Sequence, residues 1–251
     1  MRSVAENTDA ELATPLLIEQ AKELSTCAKS LSVSDVKKTM HVSEKLAETT
    51  RDLLQSWTAD PRYQRAALDS FLGDIYSGIQ VGTWIDQDRL YANDHLRILS
   101  GLYGILRPLD GIYPYRFEMG YKFPDPTCKN LYAFWGDKIA KTLPAGELII
   151  DLSAVEYGKT VTPYVDPERI ITPRFLTMSP KTGEPIFVVV HAKIARGAFA
   201  SWMVRHRIED VEKLKEFNEL GYTYSPELST LKAPVFICQE FGGIGLSVRL
   251  T

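Results

Sequence analysis

The stretch from Gly101 to Gly120, GLYGILRPLDGIYPYRFEMG, constrains the fold more than any other part of this 251-residue sequence. It holds four glycines, three tyrosines, two prolines and two arginines. Proline fixes φ and lacks a backbone donor, while glycine opens conformations that other residues avoid. Because a long helix or strand cannot run through such a stretch, the sequence predicts a stiff, irregular segment in the middle of the chain.

The residues before this segment predict helices. Apolar residues recur at helical spacing over residues 12–31 and again over 36–57. The interruption SLSVSD separates the two runs, and Ser32 or Ser34 can cap the second helix, which ends at Asp60-Pro61. We therefore expect a helical hairpin over residues 12–58, which either only packs against the rest of the fold or contacts DNA.

Strands and helices alternate from residue 70 onward. A short strand is predicted over 71–84, and PIFVVVHA (185–192) gives the strongest strand signal of the chain, followed by a helix over 193–207. ELIIDLSA (147–154) and RIITPRFLTM (169–178) also predict strands. This pattern favours a mixed α/β (α+β) single domain, with a helical N-terminal portion and a mixed central sheet within residues 70–251.

Composition limits the location and the partners. No apolar run reaches the roughly 18 residues needed to cross a bilayer, and the opening residues lack the apolar stretch of a signal peptide, so a cytoplasmic location without a membrane partner is expected. A formal charge of −3 argues against coating nucleic acid by bulk charge. Residues 191–207 nevertheless carry four basic residues and no acid, which predicts a local basic patch.

Lys193 and Arg196 open the predicted helix of that patch. Backbone N–H groups and the helix dipole favour anions at such a position, so these two side chains are candidates for phosphate binding. The alternative is a solvated face that keeps the protein soluble.

Cysteines and histidines predict no metal site or cofactor. Cys27, Cys128 and Cys238 are far apart and lack paired spacing, which favours reduced structural thiols. His191 and His206 have no second pair of ligands at metal spacing. An iron-binding protein is disfavoured because the sequence shows no cluster of histidine, cysteine and carboxylate.

Arginines and tyrosines give the central segment its chemical character. Arg97, Arg107 and Arg116 offer planar, permanently charged forks suited to phosphate or carboxylate. The tyrosines between them can stack on bases or simply pack. An alternative is a buried arginine–carboxylate network, with Asp110 and Glu118, that only organises the fold.

Three acids are candidates for catalysis, namely Asp74, Glu118 and Glu156. Two or three carboxylates that converge near arginines could perform acid–base chemistry on a nucleobase or nucleoside. The sequence by itself shows no convergence and no phosphate loop, metal box or hydrolase elbow. Enzymatic activity therefore stays an open alternative to binding.

Six ordered blocks of the sequence resemble the YaaA family of peroxide stress proteins, over about residues 12–224. The blocks are FLGDIYSGI (71–79), HLRILSGLYGILRPLDGIYPYRFEMG (95–120), LYAFWGDKI (131–139), EYGKTV (156–161), AKIARGAF (192–199) and FNELGYTY (217–224). The resemblance implies a cytosolic bacterial protein that helps cells survive hydrogen peroxide and limits iron-linked damage. It further implies nonspecific binding of double-stranded DNA through a positively charged cleft, on an α/β fold with a helix-hairpin-helix element.

Carried onto this chain, the resemblance places the hairpin on either side of SLSVSD. It places the cleft at five basic residues that match family positions: Arg97, Arg107, Arg116, Lys193 and Arg196. The chain departs from the family pattern at its opening, where MRSVAENTDAELATPLL replaces a SPAK motif, and in its tail, QEFGGIGLSVRLT. DLSA (151–154) and Ile194 are further differences.

Overall fold

The computed structural model describes Met1, residues 12–126 and residues 128–244. The opening and the tail that depart from the family pattern lie in large part outside these residues.

Helices and short strands make up the described chain. The α-helices are α1 (Ile18–Lys29), α2 (Val33–Met40), α3 (Glu44–Gln55), α4 (Ala67–Ser70), α5 (Asp74–Ile79), α6 (Asp86–His95), α7 (Leu131–Trp135), α8 (Val155–Gly158) and α9 (Val189–His206). The strands are β1 (Arg65–Ala66), β2 (Ile98–Ser100), β3 (Gly104–Leu106), β4 (Gly111–Ile112), β5 (Ile149–Ile150), β6 (Ile170–Ile171), β7 (Arg174–Met178), β8 (Pro185–Ile186), β9 (Tyr222–Tyr224) and β10 (Val235–Cys238). Short 3₁₀ helices occupy Pro61–Tyr63, Val81–Thr83, Ala140–Thr142, Thr162–Tyr164, Pro167–Arg169, Val211–Glu216 and Pro226–Leu228.

The chain is a mixed α/β protein, as the sequence predicts. Its largest sheet has the order β8-β7-β10-β9, in which β7 and β10 run parallel while the outer pairs are antiparallel. Two-residue or three-residue pairs form the remaining sheets. None of the described helices is long and apolar enough to cross a membrane.

The described chain divides into two compact units. The first unit comprises Met1–Phe71, Leu96–Pro144 and Val155–Tyr164, and the second comprises Leu72–His95, Ala145–Ala154 and Val165–Thr251. The central Gly101–Gly120 stretch therefore belongs wholly to the first unit, and the basic stretch 191–207 belongs wholly to the second.

The first unit is built around the tyrosines of the central stretch. Tyr103 is fully buried, and its hydroxyl accepts hydrogen bonds from Trp57 Nε1 at 2.9 Å and from the Tyr113 backbone at 3.1 Å. Trp135 Nε1 donates to the Gly101 carbonyl at 3.0 Å. Aromatic side chains whose hydroxyl or indole N–H groups are hydrogen-bonded thus fix the irregular segment. Among the described residues, the only regular elements between residues 98 and 120 are the strands β2, β3 and β4.

The helical hairpin differs from the prediction in one respect. Ser32 caps α2, since its hydroxyl accepts from the Asp35 backbone while the Asp35 carboxylate accepts from the Ser32 backbone. The second helix does not continue to Trp57, because His41 adopts a φ of 52° and Ser43 caps a new helix, α3. The region therefore holds three helices instead of the expected two.

Aromatic residues fill the core of the second unit. Phe175 of β7 and Phe236 of β10 are paired in register and stack at 5.4 Å, and Phe199, Trp202 and Phe217 pack against them. Ten of the eighteen residues of α9 are buried, so this helix lies inside the unit and not on its surface.

Two strand predictions in the second unit are wrong. Residues 74–79 form α5, and α9 begins at Val189, so that β8 keeps only Pro185 and Ile186 of PIFVVVHA. Both segments are helical because of a tertiary contact: α5 packs against α9, with Gly78 and Gly197 at the point of closest approach. A Cβ at either glycine would meet the backbone carbonyl of the opposite helix. Packing here overrides the β propensity of the valines.

Candidate functional site

Arg107 and Asp110 form a buried ion pair in the first unit. Asp110 is fully buried, and it accepts from the Arg107 backbone at 2.7 Å, from Nε at 3.0 Å and from Nη2 at 2.8 Å. Arg107 Nη2 also donates to the Thr14 carbonyl at 3.0 Å. Burial raises the pKa of the Asp110 carboxyl, and the hydrogen bonds from Arg107 oppose that rise. The pair matches the fold-organising alternative considered for these arginines.

Arg97 lies in the same electrostatic neighbourhood. It is half-buried, its Nη1 donates to the Leu96 carbonyl at 2.8 Å, and its charge helps to keep Asp110 ionised. The charges of two of the three predicted arginines of the first unit, Arg97 and Arg107, therefore act on one buried carboxylate.

The tyrosines of the central stretch mostly pack. Tyr103 and Tyr115 are buried with their rings 5.5 Å apart, and the Tyr115 hydroxyl hydrogen-bonds Ser100 at 2.5 Å. Burial raises the pKa of both phenols well above its ordinary value. These two rings are core residues and are closed to stacking on bases.

Arg116 is differently placed from Arg107. It is half-buried, it hydrogen-bonds the phenol of Tyr121, and its buried Nε finds no acceptor among the described residues. A buried donor without a partner costs free energy, and an anion that supplied an oxygen would recover it.

Glu118 and Glu156 lie near the same tyrosine. Both charges raise the pKa of Tyr121, although burial contributes most of that rise, whereas the charge and hydrogen bond of Arg116 lower it. Glu118 is exposed, while the half-buried Glu156 accepts from the Gly120 backbone at 2.7 Å. The first unit thus gathers Arg116, Glu118, Tyr121 and Glu156 into one cluster, which we call the Arg116 cluster. Nothing in the sequence marks Tyr121, because an isolated tyrosine in a loop has no periodic pattern.

In the second unit, Arg196 occupies a position that resembles that of Arg116. Its Nη1 donates to the Ser153 carbonyl at 3.0 Å, the charge of Asp151 acts on it, and its buried Nε has no acceptor in the described part of the chain. Burial lowers the pKa of this guanidinium. Lys193 is exposed. Since α9 begins at Val189, neither residue lies in the first turn, and the predicted placement at the helix N-terminus is wrong.

The remaining basic residues of the 191–207 stretch are paired. Arg205 Nη2 lies 2.5 Å from Glu219, and Arg207 Nη2 lies 2.9 Å from Asp88 while its guanidinium sits 4.6 Å from the centre of the Tyr91 ring. Half of the predicted basic patch is therefore neutralised locally.

The predicted residues are divided between the two units. Arg97, Arg107, Arg116, Glu118 and Glu156 belong to the first unit, whereas Asp74, Lys193 and Arg196 belong to the second. Asp74 is half-buried at the first position of α5. A cavity of about 310 Å³ in the second unit is lined by residues such as Leu214, Lys215 and Tyr224, and it contains none of the predicted side chains.

The cysteine prediction is wrong for two of the three residues. Cys27 of α1 and Cys128 form a disulfide with a Cα–Cα distance of 6.4 Å, and Asp125 lies beside them. Sequence spacing could not indicate this pair, because 101 residues separate the two cysteines. Cys238 is a buried free thiol, and burial raises its pKa.

Comparison with known proteins assigns the chain to a family. A family model described as peroxide stress protein YaaA matches residues 1–228. A UPF0246 protein of Salinispora tropica is 55% identical over 96% of this chain and 91% of its own length. UPF0246 proteins of Roseobacter denitrificans (39% identical, 91% of this chain and 92% of theirs) and Saccharophagus degradans (40% identical, 88% of each) are similar too. The chain belongs to the YaaA (UPF0246) family of peroxide stress proteins.

Proposed function

We propose that this protein binds double-stranded DNA through its phosphates, without sequence preference, and thereby protects the cell and its DNA from peroxide and iron-linked damage. Membership of a peroxide stress family supports the stress role. The observation that carries the DNA part is a pair of half-buried guanidinium groups, Arg116 and Arg196, each with a buried Nε–H that has no acceptor among the described residues.

Phosphate chemistry fits these two groups. A guanidinium presents several N–H donors in a plane, and phosphate oxygens accept two of them at once. Neither arginine forms an ion pair with a carboxylate in the described part of the chain, whereas Arg107 already uses its guanidinium on Asp110. We therefore assign phosphate contact to Arg116 and Arg196, with the exposed Lys193 as an additional charge.

The test is the affinity for a short duplex from low to physiological salt. Each phosphate contact releases a counterion, so the logarithm of the affinity should fall linearly with the logarithm of the salt concentration. Arg116→Gln and Arg196→Gln should each reduce the magnitude of that slope by about 1 and weaken binding equally on unrelated sequences.

Arg62→Gln is the matched control, because Arg62 is an exposed arginine of the first unit that pairs with Asp60 at 2.6 Å. It removes the same charge from the protein. An absence of binding at low salt, or equal losses in all three variants, would exclude the proposal.

A second candidate function is acid–base chemistry on a nucleobase or nucleoside. The convergence of Glu118 and Glu156 on Tyr121 beside Arg116 favours it, because acid–base chemistry needs carboxylates near a group that anchors the substrate. Release of free base from a panel of nucleosides would test it, with Glu118→Gln and Glu156→Gln as variants and Glu227→Gln as the control. Turnover that is absent, or unchanged in Glu156→Gln, would exclude this candidate.

A further inference from the structure

The disulfide of the first unit has a carboxylate as its neighbour. One oxygen of Asp125 and the two sulfur atoms of Cys27 and Cys128 all lie within 4.8 Å of one another. The Cys128 backbone N–H donates to the Asp125 carbonyl at 3.2 Å, which holds the two residues in one turn just before α7. Cys27 projects from the last turn of α1 to complete the group.

Burial makes it costly in free energy for the reduced cysteines to carry negative charge. Cys27 is 5% exposed, Cys128 is fully buried and Asp125 is half-buried. Two thiolates in this site would add two negative charges to a poorly solvated place, and a divalent cation compensates such charges. Two sulfurs and one oxygen form a donor set that suits zinc-like ions. In a tetrahedral site with zinc–sulfur bonds of the usual length, neighbouring ligand atoms are about 3.7 Å apart.

We propose that Cys27, Asp125 and Cys128 form a redox-controlled metal site, which binds one thiophilic divalent cation in the reduced protein and loses it when the cysteines are oxidised. A hydroperoxide oxidises the two cysteines in a two-electron step. The two thiolates give up two electrons and join in the S–S bond, the O–O bond of hydrogen peroxide breaks, two hydroxide ions form, and the cation leaves with its charge. The disulfide seen in the structure is the oxidised state.

This inference is independent of DNA binding. It uses the geometry of the three side chains, and it takes only the oxidant from the chemistry of a peroxide stress family. The site lies wholly within the first unit and does not include the Arg116 cluster.

Zinc binding to the reduced full-length protein tests the proposal. Competition with a chromophoric chelator should show one Zn²⁺ per chain, with at least a tenfold weaker affinity in Cys27→Ser and an intermediate affinity in Asp125→Asn. Cys238→Ser is the control, since Cys238 lies in the second unit and should leave zinc binding unchanged. Far-ultraviolet circular dichroism of each metal-free variant checks that it folds. If Cys27→Ser does not fold, the zinc affinity of Asp125→Asn decides the test.

Titration with hydrogen peroxide tests the redox step. Zinc release should parallel formation of the Cys27–Cys128 disulfide, seen as a peptide pair in a non-reducing digest and as a mass lower by two hydrogens. Equal zinc binding by the reduced wild type and both site variants would overturn the proposal. So would disulfide formation that leaves the zinc bound.

Discussion

Arg107 and Arg116 are only nine positions apart, yet their surroundings give them different roles. The Asp110 carboxylate and the Thr14 carbonyl hold the guanidinium of Arg107, whereas the buried Nε of Arg116 has no acceptor in the described chain. A buried carboxylate that loses its partner becomes an uncompensated charge. The first arginine therefore stabilises the fold, and the second is the one to which we assign phosphate contact.

Arg107→Ala should lower the free energy of unfolding by about 3 kcal/mol, since it leaves the fully buried Asp110 without its partner. Urea denaturation measures the loss. The exposed Arg62–Asp60 pair supplies the control, and Arg62→Ala should leave the urea midpoint unchanged. If Arg107→Ala is as stable as Arg62→Ala, the assigned structural role is wrong.

The buried phenol of Tyr222 should make the free energy of unfolding depend on pH. Burial raises its pKa to about 12, and a hydrogen bond with Thr177 opposes the rise. An unfolded tyrosine titrates near pH 10, so the unfolded chain releases this proton first as the pH increases. The stabilising contribution is complete below about pH 10 and is lost between about pH 10 and 12, by at most about 2.7 kcal/mol.

Thermal unfolding of Tyr222→Phe from pH 9 to 12 measures that contribution. The variant should lose less stability than the wild type across this window, because it has no proton to release. Tyr164→Phe serves as the control, since Tyr164 is 47% exposed. Parallel curves for the wild type and Tyr222→Phe would contradict the prediction.

At the scale of elements, the crossing of α5 and α9 decides the architecture of the second unit. Ile75 and Ile194 contribute the carbonyls that approach Gly197 and Gly78, and a methyl group on either glycine has no room. Trp84 Nε1 adds a hydrogen bond to Ser201 of α9 at 2.8 Å. The sequence between residues 185 and 192 favours a strand, but the burial of α9 against α5 requires a helix from Val189 onward.

Gly197→Ala should destabilise the protein by about 1–3 kcal/mol, because the added Cβ meets the Ile75 carbonyl and the two helices must separate. Differential scanning calorimetry would show a lower Tm. Gly82→Ala is the matched control, since a Cβ at Gly82 meets nothing within 4 Å and should change the Tm little. Equal Tm values for the two variants would show that the crossing tolerates a methyl group.

At the scale of the whole molecule, the Cys27–Cys128 disulfide joins residues that are far apart in the described chain. It closes a loop of 101 residues, and closing so long a loop removes much of the entropy of the unfolded state. In the chain-entropy model the gain is about 4.7 kcal/mol.

Reduction should therefore lower the free energy of unfolding by up to about 4.7 kcal/mol. Urea denaturation with and without a thiol reductant, in the presence of a chelator that keeps metal out, measures the loss. Cys238→Ser should show the same difference between oxidised and reduced protein, because Cys238 is outside the disulfide. An oxidised and a reduced wild type of equal stability would contradict the assignment of the pair.

The sequence alone determined the mixed α/β class, the irregular central stretch and the family, because these depend on local residue pattern and on ordered motifs. It narrowed the cap of the second helix to Ser32 or Ser34, and the structure chose Ser32. It could not decide which arginine pairs with a carboxylate, since Asp110 meets Arg107, and Arg116 meets Tyr121, only in the folded chain. It also missed the α5–α9 crossing and the pairing of Cys27 with Cys128. Contacts between residues far apart in sequence arise from packing, which no local period records.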